Sequence, residues 1–254
     1  MIIALVQTNL IWENPAENRR LIELQIANLN ELVDLIVLPE MFTTGFTMNP
    51  KAVAESMDGE TISWMRKIAK ENDAAITGSL VISENGNFYN RLVFVFPDGS
   101  LQHYDKRHLF SFAGEDKEYS AGKDKLIVEH KGFKICLLIC YDLRFPVFSR
   151  NVENYDVLLY VANWPKIRTN AWDILLKARA VENMCYVIGV NRTGFDGNNH
   201  EYEGHSQVVN YLGNYEITPT EKEGLFVTLL DKEILLETRK KMAFLDDKDE
   251  FIIK

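Results

Sequence analysis

Cysteine, glycine and proline are scarce in this sequence, and each scarcity removes a class of protein. Three cysteines among 254 residues, Cys136, Cys140 and Cys185, form an odd set without metal-ligand spacing. That argues against a disulfide framework or a zinc site and points to the cytoplasm. Gly 14 and Pro 7 are too few for a collagen-like, mucin-like or linker-dominated chain. Positive charge is also in deficit, with 28 Lys and Arg against 37 Asp and Glu and a net charge of -9. A nucleic-acid partner calls for a cationic face, so none is expected. No apolar run is long enough to span a bilayer. Met1-Ile2-Ile3-Ala4-Leu5-Val6-Gln7 has no cationic leader and no small-residue cleavage site, and reads as a first strand instead of a signal peptide.

What is present is the balance of a soluble globular fold, 46% hydrophobic and 26% charged. No Ser/Gly-rich linker and no shift in composition divides the chain, so one large α/β domain over 1–254 is expected. Asn14-Pro15 offers an N-cap followed by proline at the first helical position, and Leu21, Leu24, Leu29, Leu32 and Val33 follow at roughly helical spacing. Residues 35–38 are a short apolar run of the kind buried inside a sheet, stopped by Pro39. Ile62, Met65, Ile68 and Ala69 mark a second helix. Strands at 75–82 and 92–96 are joined through an Asn85-Gly86 turn. The theme repeats with strands at 133–139, 156–161, 186–190, 206–211 and 225–230, a helix over 171–184 and a short one from Lys232. The stretches 42–60 and 110–125 carry little regular pattern, and loops of that length are commonly functional.

Phosphate-loop, dinucleotide-fingerprint, Gly-x-Ser-x-Gly and His-Glu-x-x-His patterns are all missing. The five histidines (103, 108, 130, 200 and 205) therefore read as surface or hydrogen-bonding residues. Three segment ends do carry reactive groups. The apolar run 35–38 leads straight into Glu40, where desolvation makes a carboxylate more basic, as a general base requires. Lys106 lies in His103-Tyr104-Asp105-Lys106-Arg107-His108, where a fixed cation can meet a developing oxyanion. Strand 133–139 ends at Cys140, where the amides of a following helix would favour thiolate. Cys136, by alternation on the same face, reads as a buried inert thiol. Together the three supply a nucleophile, a base and an oxyanion stabiliser, the set for acyl transfer through a thioester.

Leu38-Pro39-Glu40-Met41-Phe42, Asp105-Lys106-Arg107-His108-Leu109-Phe110 and Cys140-Tyr141-Asp142-Leu143-Arg144-Phe145-Pro146 resemble the signatures of the nitrilase (carbon–nitrogen hydrolase) superfamily. Ala178-Arg179-Ala180-Val181-Glu182-Asn183 resembles a further helical segment of it, so the likeness spans nearly the whole chain. The resemblance implies a four-layer α-β-β-α sandwich and a triad of Glu40, Lys106 and Cys140. It also implies a second active-site glutamate, for which Glu115 fits best by its distance before Ser120-Ala121-Gly122, with Glu118 as the alternative. The backbone N–H of Tyr141 would join Lys106 at the oxyanion.

Val161-Ala162-Asn163-Trp164-Pro165 and the cysteine segment resemble the omega-amidase branch, whose substrates are 2-oxoglutaramate and 2-oxosuccinamate. True nitrilases typically carry Trp-Glu after the cysteine, whereas Tyr141-Asp142 stands here, which argues against nitriles. Arg144 is the candidate for the substrate carboxylate and Trp164 for a wall of the acyl pocket. Such chemistry calls on no metal and no organic cofactor. The rivals are an N-carbamoyl amino-acid amidohydrolase, an aliphatic amidase and a non-catalytic interaction protein; the intact trio speaks against the last. The resemblance further implies a homodimer or higher homo-oligomer. The apolar residues Trp172, Ile174, Leu175 and Leu176, with Val147, Phe148 and Val152, are candidate contact surface.

Overall fold

Alternation within strand β1 (Ile2–Gln7) divides the molecule into layers. Ile3 and Leu5 join a core shared with the second sheet, whereas Ala4 and Val6 join a separate core lined by helices. The computed structural model describes residues 1–253. After β1 come α1 (Pro15–Ile26), β2 (Leu35–Val37), α2 (Pro50–Val53), α3 (Glu60–Asn72), β3 (Ala75–Glu84), β4 (Asn87–Val95) and β5 (Leu101–Asp105). The middle of the chain forms α4 (Glu115–Glu118), β6 (Leu126–His130), β7 (Phe133–Ile139), α5 (Pro146–Ser149) and β8 (Val157–Ala162). Then follow α6 (Thr169–Asn183), β9 (Tyr186–Asn191), β10 (Thr193–Phe195), β11 (Glu201–Glu203), β12 (Gln207–Val209), β13 (Tyr215–Ile217), β14 (Gly224–Leu229) and α7 (Lys232–Lys241).

Two six-stranded sheets result, ordered β14-β1-β2-β3-β4-β5 and β13-β12-β9-β8-β7-β6. Each has three parallel strands at its centre, β1-β2-β3 and β7-β8-β9, with antiparallel strands outside. Leu35 and Val37 of β2 and Leu92 and Phe94 of β4 face the shared core, while Ile36, Val93 and Val95 face α1 and α3 through Ile22, Ile26, Ile62, Met65 and Ile68. On the far side, α6 covers β9 and β12 with Trp172, Leu176 and Ala180. The architecture is the expected α-β-β-α sandwich. No helix among the described residues is long and apolar enough to cross a membrane.

The hairpin reading holds: Asn85 and Gly86 both take positive φ (51° and 80°), the type I′ geometry of a two-residue loop between β3 and β4. Other expectations need correction. The stripe Leu21 to Val33 does not form one helix face, because α1 ends at Ile26 and buries Asn18, Ile22 and Ile26. Leu24 and Leu32 lie exposed. A polar Asn18 holds the buried first position because it donates to the carbonyls of Ile11 and Thr43 and accepts from the Ile11 N–H. The apolar surface around α5 and α6 is also smaller than expected: Phe148, Trp172 and Leu176 are buried in the core of their own chain. Val147, Val152 and Ile174 are exposed.

Candidate active site

The parallel strands of the two sheets end on the same side, and their ends place the reactive groups. After β2 the chain reaches Glu40 and turns through Met41 at a φ of 42°, pinned by the Met41 N–H to Ser79 Oγ (2.8 Å). After β7 it turns through Cys140, also at a φ of 42°. Left-handed backbone is strained for a side chain with a Cβ, and such strain collects at functional turns. A 3₁₀ turn, Cys140–Arg144, follows. Lys106 comes just beyond β5, and Gly122 closes on the backbone there: its N–H donates to the Lys106 carbonyl (2.9 Å), and a Cβ at Gly122 would lie 2.1 Å from the Asp105 carbonyl oxygen.

Glu40, Lys106 and Glu115 are all buried. Lys106 Nζ donates to Glu40 Oε1 (2.9 Å) and to both oxygens of Glu115 (3.0 and 2.9 Å), so its three protons are matched to three acceptors. Burial alone would lower the Lys106 pKa, but the charges of Glu115 and Glu40 outweigh it and push the pKa up. Burial pushes the Glu115 carboxyl pKa up, against the pull of Lys106. Glu115 also accepts the Phe110 N–H (2.5 Å), which ties the loop before α4 to the lysine. Glu118 is exposed, so the geometry favours Glu115 over it.

Cys140 is half-buried, while Cys136 and Cys185 are buried. Burial, followed by the negative charge of Glu40, raises the Cys140 pKa well above the ordinary thiol range; Lys106 opposes this. The expectation of a thiolate stabilised by helix amides is therefore overturned. Only a five-residue 3₁₀ turn starts at the cysteine, and burial together with the neighbouring carboxylate works against the thiolate.

Sequence reasoning missed three polar residues at this centre. Asn90 Nδ2 bridges Glu40 Oε1 (2.8 Å) and Glu115 Oε1 (3.1 Å). Asn163 donates its backbone N–H to Glu40 Oε2 (2.8 Å) and its side-chain amide to the Glu40 carbonyl (2.6 Å). Asp142 is buried and staples two loops together. It accepts the Ile139 N–H at the cysteine turn, the Tyr104 hydroxyl from β5, and both the backbone N–H and Nδ1 of His108 from the lysine loop. The available signal was position: Asn163 comes directly after the parallel strand β8 and Asp142 follows the cysteine. His108 stacks on Phe145 at 3.7 Å between ring centroids, in keeping with a hydrogen-bonding role.

An open cavity of about 630 Å³ leads to Cys140 and Lys106. Its walls come from the two pattern-poor stretches, through Phe46, Thr47, Phe110 and Phe112, and from Trp164. Trp164 is buried with its indole N–H bonded to the Arg168 carbonyl (2.8 Å). Arg144 also lines the cavity, its guanidinium 5.0 Å from the Trp164 ring centroid. The side chain of Tyr141 meets Phe110 edge-on at 4.9 Å.

Residues 2–240 match the Carbon-nitrogen hydrolase family. The chain is 43% identical to the Omega-amidase YafV of Yersinia enterocolitica, over 99% of this chain and 98% of that protein. It is 33% identical to the 2-oxoglutaramate amidase of Bacillus subtilis, over 96% of each. Among solved structures it is similar to XC1258 from Xanthomonas campestris, a CN-hydrolase superfamily protein with an arsenic adduct in its active site. That likeness has a TM-score of 0.98 and 44% identity, covering 100% of this chain and 99% of the other.

Proposed function

The chain belongs to the carbon–nitrogen hydrolase family, and from that premise we propose that it is an omega-amidase. It releases ammonia from the side-chain amide of a 2-oxo dicarboxylic acid monoamide, 2-oxoglutaramate or 2-oxosuccinamate. The observation that carries the reading is the buried Glu40–Lys106–Glu115 cluster beside Cys140 at the end of an open cavity. The activities named for its relatives support the choice of substrate.

In this reading Cys140 attacks as a thiol. Glu40 takes its proton as sulfur adds to the amide carbonyl carbon, which makes the high thiol pKa compatible with catalysis at neutral pH. The Glu40 oxygens accept from Lys106 and Asn90 on one side and from the Asn163 N–H on the other, so the carboxylate is held in one orientation toward the sulfur. Protonating Glu40 removes the charge holding one Lys106 N–H. That N–H turns to the new oxyanion together with the Tyr141 backbone N–H. Glu115 keeps the other two lysine protons engaged and so fixes the ammonium in place. Glu40 then gives its proton to the amide nitrogen, ammonia leaves and a thioester remains. Water delivers a proton to Glu40, attacks the thioester and releases the 2-oxo dicarboxylate, and the proton returns to sulfur. Arg144 meets the substrate carboxylate and Trp164 walls the acyl chain. The test is ammonia release from 2-oxoglutaramate, 2-oxosuccinamate, an N-carbamoyl amino acid and an aliphatic amide. Preference for a 2-oxo monoamide is the expected result; preference for either of the others overturns the substrate assignment.

The same reading takes residues 1–254 as one carbon–nitrogen hydrolase domain acting in the cytoplasm as a homodimer. Exposed Val147, Val152, Ile174 and Val181 support a shared surface around α5 and α6. Light scattering of the active protein reports a species above 29.3 kDa if this holds; a stable, fully active monomer contradicts it.

A further inference from the structure

Arginines in an acidic protein are expected to find carboxylates, yet two that line the cavity have none. Among the described residues neither Arg144 nor Arg168 forms an ion pair, although Lys166, close by in sequence, is neutralised by Glu201 (3.0 Å) and Glu203 (3.4 Å). Both arginines rest instead on aromatic rings. The Arg144 guanidinium lies 5.0 Å from the Trp164 ring centroid, and that of Arg168 lies 5.3 Å from the Phe110 ring centroid. An aromatic face fixes a guanidinium in place without neutralising it or occupying its fork of N–H donors. Trp164 links the two: its ring carries Arg144, and its indole N–H holds the Arg168 backbone carbonyl at 2.8 Å. The two carboxylates that line the cavity are already engaged. Asp196 accepts from Tyr202, His200 and two backbone N–H groups, and Glu13 accepts from Thr47.

We propose that Arg168 is a specificity-determining residue, the second cation of a two-arginine clamp that selects amides carrying a 2-oxo acid at the end remote from the scissile bond. The inference rests on the proposed function and adds a residue to it. A 2-oxo acid presents three acceptor oxygens at one end, two on the carboxylate and one on the ketone. A single guanidinium fork satisfies two of them in the bidentate geometry, and a second arginine supplies the rest. Arg168 comes from the turn after β8 and Arg144 from the turn after β7, so the two reach the cavity from separate loops. Phe110, beneath Arg168, donates its N–H to Glu115. An anion held by Arg168 is therefore seated against the loop that positions the catalytic lysine.

The experiment compares Arg168→Met and Arg168→Lys with the parent enzyme on 2-oxoglutaramate and on pentanamide, a neutral amide of the same carbon count. The expected result is a tenfold to hundredfold fall in the preference for the anionic amide in Arg168→Met, read as the ratio of the two kcat/KM values. That is roughly the loss expected for a charge-assisted hydrogen-bonded contact. The change should reside mainly in KM for 2-oxoglutaramate, with partial recovery in Arg168→Lys. A ratio unchanged by Arg168→Met overturns the clamp. A second readout does not depend on turnover: calorimetric titration of 2-oxoglutarate, the dicarboxylate product, into Cys140→Ala with and without Arg168→Met. Weaker binding without Arg168 supports the proposal, and equal affinity, or no binding to either protein, overturns it. Should the parent enzyme release no ammonia from any 2-oxo monoamide, the proposed function fails, while the titration still decides the role of Arg168.

Discussion

Cys136 and Cys140 lie one on strand β7 and one just past its end, and burial raises the pKa of both. Cys136 is sealed in the main core between Ile127 of β6 and Leu158 of β8. Cys140 sits beyond the last ladder pair, at a left-handed turn open to the cavity, with the Glu40 carboxylate against its sulfur. A low pKa therefore does not distinguish the proposed nucleophile from the sealed thiol. The difference lies in access to the cavity and in the neighbouring Glu40 carboxylate, the base of the proposed mechanism.

The two thiols can be separated by mutation. Cys140→Ala should remove turnover almost entirely, by on the order of 10⁴–10⁶-fold, whereas Cys136→Ala should keep kcat within about twofold of the parent, since it touches only packing. Loss of activity in Cys136→Ala with the fold intact would reverse the comparison. Removing the base while leaving its shape, Glu40→Gln, should lower kcat by about 10²–10⁴-fold with the protein folded. Near-normal turnover would move the base elsewhere, with Glu115 next in line. Lys106→Met should cost about 10²–10³-fold in kcat and also about 3–5 kcal/mol in stability, because two buried carboxylates lose their shared cation. Urea denaturation beside the kinetic assay reads both losses. The smallest effect is on alkylation. Iodoacetamide should label Cys140 ahead of Cys136 and Cys185, and its rate in the free enzyme should still climb with pH above the ordinary thiol range. A plateau near neutrality would indicate a stabilised thiolate and contradict the raised pKa.

Much of this was legible in the sequence because strand ends are marked by abrupt changes from apolar to reactive residues. Glu40 and Cys140 stand at such changes, Lys106 was marked by its place in a charged run between strand-like and aromatic flanks, and the turn Asn85-Gly86 announces itself by residue type. Asn90 was not legible, since it lies inside β4 with nothing in the local pattern to separate it from a solvent-facing polar residue. Its role depends on two carboxylates that arrive from distant parts of the chain. The same holds for Asn18, whose burial is decided by carbonyls outside its helix. The short strands β5, β6, β10, β11 and β13 also escaped notice, their pairing being set by neighbours and not by their own few residues. The thiolate expectation failed because it weighed the local turn and left out the burial of the thiol and a charge brought in from the other sheet.

The proposed mechanism turns on a covalent bond between substrate and one sulfur. The direct measurement is acid quenching of the enzyme during turnover of 2-oxoglutaramate, followed by peptide mass mapping. The expected result is a 2-oxoglutaryl group on the peptide containing Cys140, absent from Cys140→Ala and not found on Cys136 or Cys185. An acyl group on either of those cysteines, or rapid turnover in Cys140→Ala, would contradict it.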